Sequence, residues 1–293
     1  MRLRRASMGL AVLFLLAWLA AGAAAVEYAG NDRDTVLGVS EGAMSPRRTS
    51  VSYGSRVEET ALGDFVADAF RIETGAAVAV VCGGHLKESL PGGELTKTSV
   101  YAVFEEDHTV GVAELPVSLF FEILEHAVGQ TAIDEAERID PNSGFDGFPQ
   151  VSGFRFTYDV SQPTGERVRE VTLDDGRSLS ATDQGTVTMA APGDLLRGEL
   201  GFTMLRGTAY SEVGTQAELL AAYIASRPGE ISRPDTGRIQ AVGTADNSIY
   251  RSLGIGKFLP YMILIALLVT LPRQKNRERN MDGTFTRRPA KAP

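Results

Sequence analysis

The sequence predicts an α+β domain, a mixed sheet with packed helices, carried between two apolar end segments. Three observations predict it. Apolar residues recur at helical spacing in three separated stretches. Between these stretches lie short runs that are either wholly apolar or alternate dry and wet. Helices and strands do not alternate one for one, which argues against a doubly wound parallel sheet. The 293 residues are 43% hydrophobic and 23% charged, enough for the core of one large domain or two small ones.

The chain opens with the three parts of a secretory signal. Arg2, Arg4 and Arg5 precede an apolar stretch, Met8–Ala21, and small residues end at Ala23-Ala24-Ala25. This pattern places a signal peptide at 1–25 with cleavage before Val26; the alternative is an uncleaved anchor. No cysteine follows, which excludes a lipoprotein anchor. Residues 26–50 are polar and read as a linker. The domain is expected over 51–243.

Its first helix is expected over Ser55–Gly75, where Leu62, Phe65, Val66, Ala69 and Phe70 share a face and Gly75 ends it. Ala76–Val81 reads as a buried strand, and Cys82-Gly83-Gly84-His85 as a turn whose backbone can approach a ligand. Thr109–Leu115 reads as a strand. Pro116 opens a helix to about Val128, with Leu119, Phe120, Ile123, Leu124 and Ala127 on one side. A long Asp-, Asn- and Gly-rich loop covers 133–150. Phe154, Phe156 and Tyr158 alternate with polar neighbours, as in a half-buried strand. Arg167–Leu173 and Thr186–Ala191 read as further strands, and Gln216–Ala225 as the last helix of the domain.

After a linker at 244–252 comes the second apolar segment, Phe258–Pro272. Fifteen helical residues rise only about 22 Å, but extension back to Leu253 gives a transmembrane helix of ordinary length over 253–272. Lys257 sits where it can snorkel. The tail 273–293 carries seven basic residues and marks the cytoplasmic side. A buried core helix is the alternative, but nothing foldable follows it. The expected arrangement is a periplasmic or extracellular ectodomain, a membrane anchor and a basic cytoplasmic tail.

Charge excludes one class of partner. The net charge is −8, yet Val26–Ser252 alone holds 18 basic and 35 acidic residues. Such a body repels nucleic acid. Cys82 is the single cysteine, so no intrachain disulfide forms; it is either buried or free for an intermolecular bond. The run Glu105-Glu106-Asp107-His108 reads as a solvated loop in preference to a metal site, because contiguous residues rarely converge on one ion. His85 reads as a loop histidine without a partner nucleophile, and His126 as a packing or surface residue of its helix. Arg197 and Arg206, near Phe202, suit either an anion or surface ion pairs. No serine-nucleophile elbow, paired-cysteine or phosphate-loop motif is present in the sequence.

Seven short pieces, in order over about 34–242, carry a resemblance. They are Arg56–Phe70 (RVEETALGDFVADAF), Val80–Lys87 (VVCGGHLK), Leu90–Thr96 (LPGGELT), Gln150–Asp159 (QVSGFRFTYD), Arg167-Val168, Leu195–Met204 (LLRGELGFTM) and Gly237-Arg238-Ile239. Together they resemble the C-terminal domain of 5′-nucleotidases. The resemblance implies an α+β fold that supplies the nucleotide-binding half of an active site. It implies ligand contacts at Arg56, Gly83, Gly84, Lys87 and Phe202, the last as one of two rings that hold a base. It assigns no catalytic and no metal-binding residue.

The resemblance also implies a separate metallophosphatase domain bearing two metal ions, and the 293 residues show no counterpart of it. Any divalent metal is therefore expected from a partner metallophosphatase, not from this chain. Several positions depart from the family pattern. Cys82 stands for asparagine, His85 for the third glycine, Lys87 for arginine, Glu106 for the first aromatic ring and Leu200 for aspartate. The expected function is a non-catalytic nucleotide- or nucleoside-binding or interaction module, with an envelope protein as a possible partner. The alternative is the substrate-binding half of a nucleotide phosphohydrolase working with a separate metallophosphatase chain.

Overall fold

A computed structural model describes residues 35–47 and 54–244. The expected signal peptide, transmembrane helix and basic tail lie outside the described residues. Among the described residues no helix is long and apolar enough to cross a membrane.

Strand β1 is Val36–Ser40 and helix α1 is Ala61–Thr74. Strand β2 (Val78–Cys82) leads through a 3-10 turn, Gly83–His85, to β3 (Gly93–Thr96) and the short helix α2 (Lys97–Tyr101). Strand β4 (Thr109–Pro116) runs directly into α3 (Val117–Val128). Then come β5 (Pro149–Ser152), β6 (Phe154–Asp159), β7 (Val168–Leu173), β8 (Ser178–Leu179) and β9 (Thr186–Pro192). The one-turn helix α4 (Gly193–Leu196) and strand β10 (Tyr210–Thr215) precede α5 (Gln216–Ala225), β11 (Glu230–Ile231) and β12 (Ile239–Val242).

The mixed α+β class stands, and two boundaries are corrected. Strand β1 lies in the stretch expected to be a linker, so the folded domain begins before residue 51. Helix α1 starts at Ala61, not near Ser55. Thr60 caps it, its side chain accepting from Gly63 N at 3.1 Å. Residues 55–60 instead wrap around the buried Gln150 side chain. Its amide nitrogen donates to Ser55 O (3.0 Å) and Glu58 O (2.8 Å), and its oxygen accepts from Thr60 N (2.8 Å). Gly63 is required there, because a Cβ would collide with the Gln150 amide. Gly75 ends α1 in the left-handed conformation, as expected.

The central sheet has the order β10-β4-β9-β2-β5. Strand β2 is parallel to β9 and antiparallel to β5, while β4 is antiparallel to β9 and to β10. All five β2 residues are buried. Val78, Val80 and Cys82 face a core shared with α3 and the sheet β12-β6-β7-β8. Ala79 and Val81 face the other core, filled by Phe65, Phe70, Leu220 and Ile224 from α1 and α5. These strand directions place the C-terminal ends of β2, β9 and β10 and the N-terminal ends of β4 and β5 at the same end of the sheet.

A polar seam ties α1 to the C-terminal strand. Arg238 donates twice to Asp68 (2.7 and 2.9 Å) and once to Val151 O (2.8 Å). Glu59 accepts from the backbone N–H groups of Gly237 and Arg238. Asp64 is fully buried beside them, and neither of its oxygens accepts a hydrogen bond. Burial, followed by the charge of Glu59, pushes its carboxyl from 3.8 up to about 9. Asp64 is therefore neutral near pH 7 and can share its proton with Glu59.

Gln150→Leu strands three buried backbone groups and is expected to cost about 2–4 kcal/mol in urea denaturation of the full chain, whereas Gln184→Leu at an exposed site should change stability by less than about 0.5 kcal/mol. Asp64 binds a proton when folded and releases it when unfolded, between pH 3.8 and about 9. Its contribution to stability thus falls as pH rises through that window. The Asp64→Asn protein, neutral throughout, is expected to gain stability over the natural chain progressively from about pH 4 to about pH 9; a gain that is flat with pH would refute the assignment.

Candidate functional site at one end of the central sheet

The segments singled out by motif converge where the strand ends converge. The turn after β2 carries Gly83, Gly84 and His85, the segment before β4 carries Glu105–His108, and the segment before β5 carries Phe145–Phe148. Helix α4 and the loop after it, following β9, carry Asp194 and Phe202.

The two glycines approach their own chain, not an open space. Gly83 N donates to Phe148 O and Gly84 N to Asp146 O, each at 2.8 Å. A Cβ at Gly83 would enter the Ser55 carbonyl, and one at Gly84 would lie 2.5 Å from Asp146 Cβ. Their N–H groups are thus spent within the fold. Arg56 Nε pairs with Asp146 Oδ1 at 2.6 Å, and Lys87 Nζ with Glu105 Oε1 at 3.6 Å; all four side chains are half-exposed. Arg56, Asp146 and Gly84 adjoin, and Glu105 N donates to His85 O, so both cations stand on one contiguous rim.

Phe202, the ring the resemblance assigns to the base, is fully buried. The edge of His126 meets it at 4.6 Å between centroids, and Phe145 lies nearly parallel to it at 6.2 Å and 26°. Phe145 is partly exposed, so the exposed ring at this place is one that sequence reasoning missed. Its signal was its place just ahead of the Gln150 motif, in Phe145-Asp146-Gly147-Phe148. His126 packs as expected, with Nε2 3.0 Å from Leu200 O. Leu200 itself lies at φ 48°, a left-handed conformation uncommon for a leucine. Arg197 pairs with Glu199 at 3.1 Å, the surface ion pair among its two readings.

The acidic run divides at its end: Glu105, Glu106 and Asp107 are exposed as expected, whereas His108 turns inward. Asp107 Oδ1 accepts from Ala217 N at 2.9 Å and so caps α5. His108 stacks on His85 at 4.5 Å between centroids. His85 is buried, not a loop histidine, with Nε2 3.1 Å from Asp194 Oδ2 and Nδ1 3.1 Å from Gln216 Oε1. Burial alone would raise the Asp194 carboxyl, but the hydrogen bond and charge of His85, then His108 and the Leu195 N–H, hold it below its ordinary value. Cys82 is buried, and burial together with the charges of Asp194 and Asp146 pushes its thiol well up, leaving it inert. A separate groove, lined by Asp68, Arg71, Tyr223, Arg227 and Arg238, belongs to the α1 seam and not to this end of the sheet.

The family of 5′-nucleotidase C-terminal domains matches residues 36–207. The chain belongs to that family. As a 5′-nucleotidase C-terminal domain it is 25% identical, over 70% of its length, to the trifunctional nucleotide phosphoesterase protein YfkN of Bacillus subtilis (strain 168), of which the match covers 14%. Among solved structures, a 5′-nucleotidase precursor from Thermus thermophilus matches at TM-score 0.60 and 24% identity, over 78% of this chain and 42% of that one. The NAD nucleotidase of Haemophilus influenzae matches at 0.57 and 15%, over 72% and 39%. Those structures share the fold, and the chain spans less than half the length of each.

Because Phe202 is buried and Phe145 is not, the two rings should separate on truncation. Phe202→Ala is expected to cost about 3–5 kcal/mol, and Phe145→Ala less than half of that, in parallel thermal melts.

Proposed function

We propose that this 5′-nucleotidase C-terminal domain is an exported, membrane-anchored module that binds a nucleotide- or nucleoside-like ligand and has no phosphohydrolase activity of its own. The observation that carries the reading is the grouping, at one end of the sheet, of a partly exposed ring on Phe145 with the cations Arg56 and Lys87 on the adjoining rim. A ring accepts the face of a base of any sequence, and the cations suit phosphate once Asp146 and Glu105 release them. Glu105, Glu106 and Asp146 oppose a highly charged ligand, which favours a nucleoside or monophosphate over a triphosphate. Lysine at position 87 supplies charge without the two-pronged grip of arginine. Export and anchoring rest on residues 1–25 and 253–279.

A second reading is supported by the relatives' lengths. The domain corresponds to part of a phosphoesterase in B. subtilis and part of a nucleotidase in T. thermophilus. On that reading this chain is the substrate-binding half of a nucleotide phosphohydrolase and works with a metallophosphatase chain that supplies the metal-activated water.

Isothermal titration of the full chain with adenosine, AMP and UDP-glucose tests the first reading. Binding of adenosine or AMP that weakens about tenfold in Phe145→Ala, the worth of one aromatic stack of ~1.4 kcal/mol, is the expected result. No heat at millimolar ligand would overturn it. Metal-dependent phosphatase activity that appears only on adding a metallophosphatase chain would establish the second reading.

A further inference from the structure

The geometry points to a binding site for a first-row divalent cation, of the Zn²⁺ class, formed by His85, His108 and Asp194 of this chain alone. One ligand atom from each of the three lies within 4.8 Å of the others. Two imidazoles and a carboxylate suit zinc and its neighbours. Around a tetrahedral ion with bonds near 2.0 Å, ligand atoms stand about 3.3 Å apart. His85 Nε2 and Asp194 Oδ2 are already 3.1 Å apart. His108 needs to move inward by at most roughly 1.5 Å, within reach of a rotamer adjustment; its side chain is a quarter exposed and its other carboxylate neighbour, Glu106, is 3.8 Å away and exposed.

The Gln216 amide fixes the tautomer of His85. Its nitrogen donates to the Glu106 carbonyl at 3.1 Å, and a carbonyl can only accept. The amide oxygen therefore faces His85, so His85 Nδ1 must carry a hydrogen. That leaves Nε2 as the ring nitrogen directed at the Asp194 carboxylate, 3.1 Å from Oδ2. A metal-bound histidine ordinarily donates its second nitrogen to a carbonyl oxygen, as His85 does here. Asp194 adds an independent sign: it is 4% exposed, and its Oδ1 has no hydrogen-bond partner. A buried carboxylate oxygen without a partner calls for an explanation, and an ion shared with the two imidazoles supplies one. The three ligands come from three chain segments, so an ion would pin them together and offset the acidic rim, and a fourth position would remain for water or an anion.

The test is metal titration of the full chain, free of nucleotide, so its result is independent of the proposed ligand. Zn²⁺ is followed by competition with a fluorescent chelator, and Co²⁺ by its visible d–d bands. The expected result is one equivalent bound, with His85→Ala, Asp194→Asn and His108→Gln each weakening binding by more than about tenfold, and Asp175→Asn, on an exposed turn, leaving it unchanged. Circular dichroism identifies any variant that fails to fold; His108→Gln alters a partly exposed side chain and keeps the test decisive if the buried variants do not fold. No Co²⁺ bands and no competition at micromolar metal would overturn the site. Binding that survives all three folded variants would overturn it equally.

Discussion

Strand β2 is the constraint on which the rest depends. It is five residues long and buried on both faces, so it divides one hydrophobic core from another. A strand in that position must be apolar at every residue, and VAVVC is. Helices α1 and α5 can pack only because Ala79 and Val81 offer small, flat contacts on their side. The second sheet can pack only because Val78 and Val80 do the same on the other. Leaving this double-sided wall at Cys82, the chain must turn at once, and the turn places His85 where β4, β9 and β10 bring His108, Asp194 and Gln216.

The chemistry at that end of the sheet is therefore a product of strand direction. Residues 85, 108, 194 and 216 are distant in the chain, yet each is within a few residues of a strand end on the same side. The glycines of the first turn keep this end closed. They let Ser55 and Asp146 pack directly against the backbone, and the N–H groups are satisfied internally. The result is a compact rim where each candidate cation holds a carboxylate, Arg56 with Asp146 and Lys87 with Glu105. Exposed pairs of this kind contribute little to stability, so exchanging a carboxylate for a ligand anion there costs the fold little.

Much of the fold was legible in sequence where elements carry their own signal. Helices α1, α3 and α5 have apolar faces at helical spacing, and Gly75 and Pro116 mark the end of α1 and the start of α3. Strand β6 alternates buried and less buried residues, as its side chains do in the structure. The start of α1 was misread because the decisive interaction, with Gln150, lies 90 residues away. Strands β1 and β10 were missed for a related reason. Both are rich in exposed positions, with Val39 and Val213 facing solvent, and their stability comes from backbone pairing that composition does not reveal. The motifs singled out Arg56, Lys87 and Phe202, but the burial of Phe202 and the partial exposure of Phe145 follow from packing. His85 and His108 were visible singly. Their union with Asp194 was not, because no local pattern links residues that only tertiary structure brings together.

The small sheet β11-β1-β3 has a kinetic meaning. Strand β1 finds β3 some way downstream, but its other edge is covered only by β11, and Ser40 bonds to Ile231 across 191 residues. Closing so long a loop is slow, and pairing of this kind comes late in folding. On a ribosome, β1 emerges first among the described strands and waits with one unpaired edge while nearly the whole domain is made. An edge left open that long invites pairing with another chain. Among the described strands, β1 thus has the longest wait for its second partner, and its open edge is the one most in need of protection while the chain is being made.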